Sequence, residues 1–265
     1  MVGRAADVTV GSELRTRIVA AGVLAPLVLG LVWLGGLAFS ALVMLAAIVM
    51  AYEWQALMAD SSAVTVSAAV VGAIGLMTFA EPLFALLPLL IAAILVTRSG
   101  ARLSALGSVY VGLPCLALIW LRQQPETGLA SVVWLLAVVW ATDVGAYAFG
   151  RALGGPRLAP RLSSAKTWAG LLGGMVLAAV AGVAVAAVLG LSPAVRPVLT
   201  AAGLAVLAQV GDLFESWLKR RRGVKDSGSL IPGHGGLLDR VDGMMIATPA
   251  LAFLLLVANG EARSW

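Results

Sequence analysis

Long apolar runs separated by short polar breaks account for most of the 265-residue chain. A helix that crosses a bilayer needs about 20 mostly apolar residues, and runs near this length recur from one end of the sequence to the other. The pattern predicts nine spanning helices. Their expected ranges are 18–34, 37–53, 63–80, 83–97, 105–121, 129–149, 168–190, 195–213 and 243–259.

The composition agrees with this pattern. Hydrophobic residues make up 61% of the chain and charged residues 12%, whereas a soluble domain carries about 25% charged residues. Because lipid must solvate most of such a surface, we predict an all-α, polytopic helical membrane protein without a separate soluble domain. The single cysteine, Cys115, lies in an apolar run, which excludes a disulfide framework and a thiolate metal site.

The positive charges predict how the helices are oriented. If the N-terminus is cytoplasmic, all 18 lysines and arginines except Arg122, Arg196 and Arg263 fall on the cytoplasmic side, as the positive-inside rule requires. The longest polar interruption, residues 216–242, then faces the cytoplasm. These flanking cations also explain the net charge of +5, so we do not expect nucleic acid as a partner.

Polar side chains are distributed unevenly between the two halves of the chain. In residues 1–130, Glu53 and Asp60 border a cytoplasmic turn and are interpreted as solvated loop ends. In residues 131–265, acids lie inside or at the inner ends of predicted spans, where an unpaired charge costs about 2.5–3.5 kcal/mol. We therefore expect residues 1–130 to embed the protein and residues 131–265 to form the functional region, with its polar loops on the cytoplasmic side.

Two of the predicted helices carry a polar stripe on one face. Such a stripe forms either a packing contact with neighbouring helices or the wall of a polar cavity, and the sequence leaves both interpretations open. With a purely structural role, the aspartate of the eighth helix could pair with the lysine two turns later. The stripes are Asp143, Tyr147, Gly150 and Arg151 in the sixth helix, and Asp212, Glu215, Ser216 and Lys219 in the eighth.

Two loops carry groups that bind phosphate. Before the seventh helix, Lys166 and Thr167 lead into a helix start, which is typical of anion sites, although the cations there could serve only to anchor the loop. After the eighth helix, basic residues and a PGHGG sequence precede Asp239 and Asp242. Glycines expose backbone N–H groups to anions and carboxylates bind hard cations, a combination that favours phosphoryl or nucleotidyl transfer. The lone His234 could donate to phosphate, relay a proton or only support the loop.

Residues 216–242, SWLKRRRGVKDSGSLIPGHGGLLDRVD, resemble the signature of the phosphatidate cytidylyltransferase (CDP-diacylglycerol synthase) family. The segments GDLFES and DVGAYAFGR resemble the same family, so the likeness covers about residues 140–245. One loop departs from it: the family's SPKKTWEG is SSAKTWAG here, without one lysine, the proline and the glutamate. The matched signature positions are Ser216, Lys219, Arg220, Lys225, Asp226, Gly228, Pro232, Gly233, His234, Gly235, Gly236, Asp239, Arg240 and Asp242.

The resemblance implies a reaction. The phosphate of phosphatidic acid would attack the α-phosphorus of CTP, release pyrophosphate and leave CDP-diacylglycerol in the bilayer. The resemblance also implies Mg²⁺ as the cofactor with a second cation such as K⁺, a homodimer, and a location in the bacterial cytoplasmic (inner) membrane with the active site facing the cytoplasm.

The resemblance further implies a role for individual residues. Catalytic roles fall to Asp212, Asp239, Lys225 and His234. Metal contacts fall to Asp212, Asp239, Asp226 and Asp242. Substrate binding falls to Lys166, Thr167, Ser216, Lys219, Arg220, Gly235, Gly236, Arg240, Asp143 and Tyr147.

Three other functions compete with this hypothesis. A CDP-alcohol phosphotransferase would need further aspartates after Asp242, and none follows. A transporter would bind ions near the bilayer midplane and would show an inverted repeat, whereas the acids here cluster toward the cytoplasmic face. An inactive scaffold of the same family is suggested only by the altered SSAKTWAG loop, and turnover of CTP would separate it from an enzyme.

Overall fold

The computed structural model describes residues 22–80, 82–190, 195–228 and 235–258. Within these ranges the chain forms nine α-helices, one 3-10 turn and one β-hairpin. The helices are α1 (Gly22–Leu34), α2 (Gly36–Met58), α3 (Ala63–Phe79), α4 (Leu86–Arg98), α5 (Arg102–Gln123), α6 (Gly128–Leu153), α7 (Trp168–Val188), α8 (Val195–Arg221) and α9 (Leu238–Val257). The 3-10 turn is Pro82–Ala85, and the strands are β1 (Arg157–Ala159) and β2 (Ser163–Thr167).

The helices have the composition of membrane spans. Among the described residues, α2, α5, α6, α7, α8 and α9 are long and apolar enough to cross a bilayer, while the apolar helices α1 and α3 and the segment Pro82–Arg98 are shorter. The predicted all-α, polytopic membrane architecture is confirmed. The number of helices that cross the bilayer and the side of the N-terminus stay predictions, and the first and last predicted spans extend beyond the described residues.

The predicted ends of two spans differ from the helix ends in the structure. The eighth span was expected to end at residue 213 and the ninth to begin at 243, but α8 runs to Arg221 and α9 begins at Leu238. A hydropathy window stops at the first charges, whereas backbone hydrogen bonding continues past them. The buried Leu218 and Leu238 anchor these polar turns. Asp212 and Glu215 therefore lie within regular helix in α8, as do Asp239 and Asp242 in α9. The helix geometry sets the direction in which each of these side chains leaves the backbone.

Glycines bring α6 and α7 into close contact. A Cβ at Gly145 would lie 2.6 Å from the carbonyl oxygen of Gly173, and one at Gly170 would lie 2.8 Å from that of Ala146. Small residues allow helix backbones to approach in this way, and Gly174 extends the contact, because a Cβ there would lie 3.0 Å from the carbonyl oxygen of Thr142. Because α7 directly follows β2, this contact also holds the hairpin against the C-terminal end of α6.

The loop between α6 and α7 forms an antiparallel hairpin. Arg157 pairs with Thr167 and Ala159 with Ser163, a structure that the sequence did not predict because such short strands leave no clear alternation of polar and apolar residues. Thr167 ends β2 and also caps α7, since its hydroxyl accepts a hydrogen bond of 3.0 Å from the backbone N–H of Gly170. The cap also fixes the backbone next to Lys166, the residue before Thr167.

Candidate active site

Three helices bring one carboxylate each to a common region, which we call the acidic cluster: Asp143 of α6, Asp212 of α8 and Asp242 of α9. Asp242 interacts electrostatically with Asp212 and Asp143, and Asp143 interacts with Asp212. The crossing of α8 and α9 explains the proximity, because a Cβ on Gly211 would collide with the backbone carbonyl of Asp242. Like charges this close favour a cation between them.

Lys166 is the cation that the hairpin supplies to the acidic cluster. Its Nζ forms an ion pair with Oδ2 of Asp212 and interacts electrostatically with Asp143 and Asp242. The hydroxyl of Ser216 lies one turn away and donates to Oδ1 of Asp212 at 3.4 Å. Asp212 therefore pairs with Lys166 and not with Lys219, the alternative that the helical spacing had left open. Three carboxylates facing one lysine leave the cluster with excess negative charge.

A fourth carboxylate, Asp239 at the start of α9, has a different environment, which we call the Asp239 pocket. Oδ1 of Asp239 accepts from Nζ of Lys219 at 2.6 Å. Oδ2 accepts from the backbone N–H and the hydroxyl of Ser227, at 2.8 and 3.0 Å, and from the N–H of Gly236 at 2.9 Å. One lysine and three further donors thus compensate a single, largely buried carboxylate.

Glu215 lies between the acidic cluster and the Asp239 pocket. It is buried, with its Oε1 at 3.2 Å from Nζ of Lys219, and it interacts electrostatically with both Asp239 and Asp242. The face of α8 predicted to carry Asp212, Glu215, Ser216 and Lys219 is therefore confirmed as a continuous polar face. It joins the two regions into one site.

Glu53 of α2 also enters this site, across more than half of the chain. Its carboxylate accepts hydrogen bonds from the backbone N–H groups of Leu237 and Leu238, at 2.8 and 2.9 Å. The residue is only 8% exposed. The interpretation of Glu53 as a solvated loop end is wrong, because the first turn of α9 covers it.

The glycines of the loop before α9 are required by close contacts. Gly235 has a φ of 81°, a conformation that glycine adopts without steric cost, and a Cβ there would lie 3.0 Å from Oδ2 of Asp239. A Cβ on Gly236 would collide with the hydroxyl of Ser227 and would lie 2.8 Å from the backbone nitrogen of Gly228. The chain can wrap around these carboxylates only because side chains are missing here.

The remaining candidates surround the site. Asp226 lies at the mouth of the Asp239 pocket, with its carboxyl carbon 3.6 Å from the Cβ position of Gly235. Tyr147 is 67% exposed, and its hydroxyl accepts from Nη1 of Arg151 at 3.0 Å, which confirms that the two share a helix face. The exposed basic candidates are Arg220, Lys225 and Arg240. Among the ion pairs of the described residues, none joins them to the acidic cluster or to the Asp239 pocket.

Some predictions fall outside what the structure describes. His234, Pro232 and Gly233 are not among the described residues, so the roles suggested for His234 stay predictions. Among the residues that are described, no group of three histidine, cysteine, aspartate or glutamate side chains is arranged so that it could hold a metal ion. The metal contacts assigned to Asp212, Asp239, Asp226 and Asp242 likewise stay predictions.

Three site residues were absent from the sequence-based assignment. Glu215 had a signal, because it lies four residues before Lys219 on the same helix face, but no role was given to it. Ser227 occupies a variable position between Asp226 and Gly228 of the signature. Glu53 had no local signal, since its partners lie 184 and 185 residues further along the chain.

An apolar cavity of about 370 Å³ lies between α5, α8 and α9. Its lining includes Tyr110, Phe214 and Pro249. Tyr110 is mostly buried and interacts electrostatically with Glu215, Asp242 and Asp212. The cavity therefore adjoins the polar site on its apolar side.

A family model described as "Cytidylyltransferase family" matches residues 15–258. The chain belongs to the cytidylyltransferase family. This match covers both polar regions and every described helix, so membership extends beyond the signature at 216–242. It confirms the resemblance seen in the sequence, and it does not favour the transporter or the CDP-alcohol phosphotransferase alternatives.

Three curated relatives of this cytidylyltransferase-family chain carry the same name. A protein named phosphatidate cytidylyltransferase from Brucella suis biovar 1 (strain 1330) is 42% identical over 254 residues, which cover 92% of this chain and 93% of the relative. Proteins of the same name from Bacillus subtilis (strain 168) and Rickettsia bellii (strain RML369-C) are 40% identical over 178 residues and 33% identical over 187 residues. The alignments cover 65% and 66% of this chain and 66% and 80% of those relatives.

Proposed function

We propose that this chain is a phosphatidate cytidylyltransferase, which transfers CMP from CTP to phosphatidic acid and forms CDP-diacylglycerol and pyrophosphate. The observation that carries the proposal is the convergence of α6, α8, α9 and the hairpin on one polar site, in a chain that matches the cytidylyltransferase family over residues 15–258. The names of its relatives support the lipid substrate.

The reaction joins two polyanions, and the site is suited to neutralise them. A phosphate oxygen of phosphatidic acid forms a bond to the α-phosphorus of CTP, and the bond to the bridging oxygen of the β-phosphate breaks as pyrophosphate leaves. Lys166 and Lys219 supply fixed positive charge inside the site. The exposed Arg220, Lys225 and Arg240 supply it at the rim. Positive groups placed where phosphate charge develops lower the barrier of such transfers.

Mg²⁺ is part of the proposal, with the acidic cluster as its binding region. Carboxylate oxygens are the ligands that Mg²⁺ prefers, and Asp212 and Asp242 come from adjoining helices with excess negative charge around them. Asp239 is less suited, because both of its oxygens already accept hydrogen bonds from Lys219, Ser227 and Gly236. When bound, the ion would neutralise phosphate oxygens of the nucleotide. We assign Asp239 to holding the loop rather than to the metal.

The apolar cavity supports a lipid substrate. It opens between helices α5, α8 and α9 and adjoins the acids through Tyr110. Acyl chains could therefore remain in an apolar environment while the phosphate reaches the polar site. We further propose that the site faces the cytoplasm of a bacterial inner membrane, where CTP is made, and that the protein is a homodimer.

An assay of the purified protein in detergent tests the proposal. Phosphatidic acid, labelled CTP, Mg²⁺ and K⁺ are supplied, and labelled liponucleotide and pyrophosphate are both measured. We expect equal amounts of the two products, and none when phosphatidic acid is omitted. Pyrophosphate without lipid would indicate CTP hydrolysis instead. No product from folded protein with both cations present would overturn the proposal in favour of the inactive scaffold.

A further inference from the structure

We propose that Glu53 of α2 is a positioning residue for the reaction: its carboxylate holds the first turn of α9 and thereby sets the place of Gly236 and Asp239. Glu53 does not need to touch substrate in this role. The part of the inference that concerns turnover rests on the proposed function, whereas the part that concerns the α9 terminus does not.

The start of α9 lacks a cap of its own. Its N-cap residue is Leu237, which has no side-chain hydrogen bond to the helix and no polar atom that could make one. The first N–H groups of a helix need an acceptor, and a carboxylate there also interacts favourably with the helix dipole. Glu53 supplies that acceptor from another helix, with one oxygen on Leu237 N–H and the other on Leu238 N–H.

Three consecutive backbone N–H groups are divided between two carboxylates. The N–H of Gly236 is donated to Asp239, and those of Leu237 and Leu238 are donated to Glu53. Because the three residues are consecutive, a backbone shift that releases the N–H groups of Leu237 and Leu238 from Glu53 must also move the N–H group of Gly236. The geometry of the Asp239 pocket therefore depends on Glu53.

The loop is shaped around the Glu53 carboxylate. A Cβ on Gly228 would lie 2.9 Å from Oε1 of Glu53, and a Cβ on Gly236 would lie 2.9 Å from Oε2. Contacts this short do not occur for real Cβ atoms. Both glycines belong to the signature loop. The Glu53 carboxylate accounts for Gly228 and, together with the closer Ser227 hydroxyl, contributes to the requirement for glycine at position 236.

Glu53 is held on a rigid support. The next residue, Trp54, is fully buried and donates from Nε1 to the carbonyl of Leu103 at 3.1 Å. Gln55 donates to the carbonyl of Ser104 at 3.2 Å. These contacts fasten the end of α2 to the start of α5. A carboxylate on a fixed helix can define the position of a loop, whereas one on a mobile side chain could not.

The test compares Glu53→Ala and Glu53→Gln with wild type in the purified protein. Asp60→Asn is the matched control, because Asp60 lies at the same end of α2 but accepts from the N–H of Ser62 at 2.7 Å and not from α9. Two measurements are made well below the melting temperature of each variant. They are kcat and KM for CTP, and amide hydrogen exchange of the peptide that contains Leu237 and Leu238.

We expect Glu53→Ala to lower kcat on the order of 10- to 100-fold, since small displacements of reacting groups have effects of this size. We expect KM for CTP to change by less than about threefold, because the groups that bind nucleotide remain. Exchange at Leu237 and Leu238 should rise in Glu53→Ala. Glu53→Gln keeps one acceptor oxygen and should recover part of kcat, while Asp60→Asn should match wild type in both measurements.

The outcomes separate the two proposals. Unchanged exchange in Glu53→Ala would overturn the role of Glu53 at α9. Increased exchange with unchanged kcat would overturn the positioning role. A loss of kcat that occurs equally in Asp60→Asn would show a general effect of loosening this end of α2 and would also overturn it. If wild type lacks turnover, the proposed function fails, and the exchange data still decide whether Glu53 holds α9.

Discussion

The acidic cluster and the Asp239 pocket lie side by side on α8 and α9, yet their carboxylates are compensated very differently. Asp239 faces Lys219 and three hydrogen-bond donors from Ser227 and Gly236. In the acidic cluster, Asp212 and Asp242 share Lys166 with Asp143. In the Asp239 pocket, groups of the protein itself compensate the carboxylate. In the acidic cluster, the carboxylates outnumber the one lysine, so the cluster can still interact with a bound cation.

The contrast suggests a division of labour. A buried carboxylate with every oxygen hydrogen-bonded fixes local structure and is costly to disturb. Repelling carboxylates destabilise the folded state slightly and gain from any bound cation. We therefore propose a structural role for Asp239 and a cation-binding role for Asp242, although both are aspartates of the same site. Substitutions that remove one charge at a time can separate the two roles.

The largest expected effect on turnover is that of Asp242→Asn. Asparagine can still accept the 2.7 Å hydrogen bond from the N–H of Gly243, so the substitution removes charge with little change in shape. We expect activity to fall by about 100-fold or more, as when one electrostatic group of a reaction centre is lost. Because repulsion with Asp212 and Asp143 is relieved, we expect the melting temperature to stay the same or to rise.

Mg²⁺ provides the control for that prediction. Addition of Mg²⁺ should raise the melting temperature of wild type and of Asp239→Asn, and should have little effect on Asp242→Asn. A full Mg²⁺ response in Asp242→Asn would contradict the assignment of the metal to the acidic cluster.

Asp239→Asn should act mainly on stability. The substitution leaves Lys219 facing Glu215 alone and replaces an oxygen that accepts from Ser227 and Gly236. Breaking a buried pair by removing one partner costs about 3 kcal/mol. Because Asp239 holds the same turn that Glu53 positions, kcat of the folded variant should also fall, but by less than in Asp242→Asn. Thermal or denaturant unfolding measures the loss. Asp226→Asn, on an exposed neighbouring carboxylate, is the matched control and should leave stability unchanged; equal stability of Asp239→Asn and wild type would contradict the comparison.

Lys166→Gln should have the smallest effect of the three. The substitution removes the ion pair with Asp212. Since a hydrogen bond to a charged group contributes about 1.5–3 kcal/mol, we expect activity to fall by about tenfold. Because the acidic cluster then carries more uncompensated charge, the variant should be less stable than wild type without Mg²⁺ and should recover when Mg²⁺ is added. Melting curves with and without Mg²⁺ measure this, and Arg161→Gln on the exposed turn of the hairpin is the control. A loss of stability that Mg²⁺ does not restore would argue against excess negative charge.

The helices and the polar face of α8 could be predicted from the sequence. Nine apolar runs were expected, and nine helices lie at their places in the described residues. An apolar run can be recognised from the sequence alone, because the exclusion of its side chains from water does not depend on which other helices it packs against. The polar face of α8 followed from helical spacing alone. The polar first turn of α9 was not predicted, since a hydropathy window excludes the charged residues Asp239 and Asp242.

The partners within the site could not be predicted in the same way. Spacing allowed Asp212 to pair with Lys219 on its own helix, but the hairpin places Lys166 closer to it, and α9 places Asp239 on Lys219. Asp239 and Asp242, three residues apart, were both expected to contact a metal in one site, and they face different surroundings. Pairing depends on how helices cross, and that depends on glycines such as Gly211 whose contacts are distant in sequence.

The sequence by itself determined that this protein is a helical membrane protein and that its signature residues belong to the cytidylyltransferase family, because both follow from composition and from residues close together in the chain. Only the tertiary structure decided which carboxylate is neutralised and which remains available, and that Glu53 from the first half of the chain holds the start of α9. The physical reason is that charge compensation is a property of distances in space, to which residues 53 and 238 contribute as neighbours although 185 positions separate them along the chain.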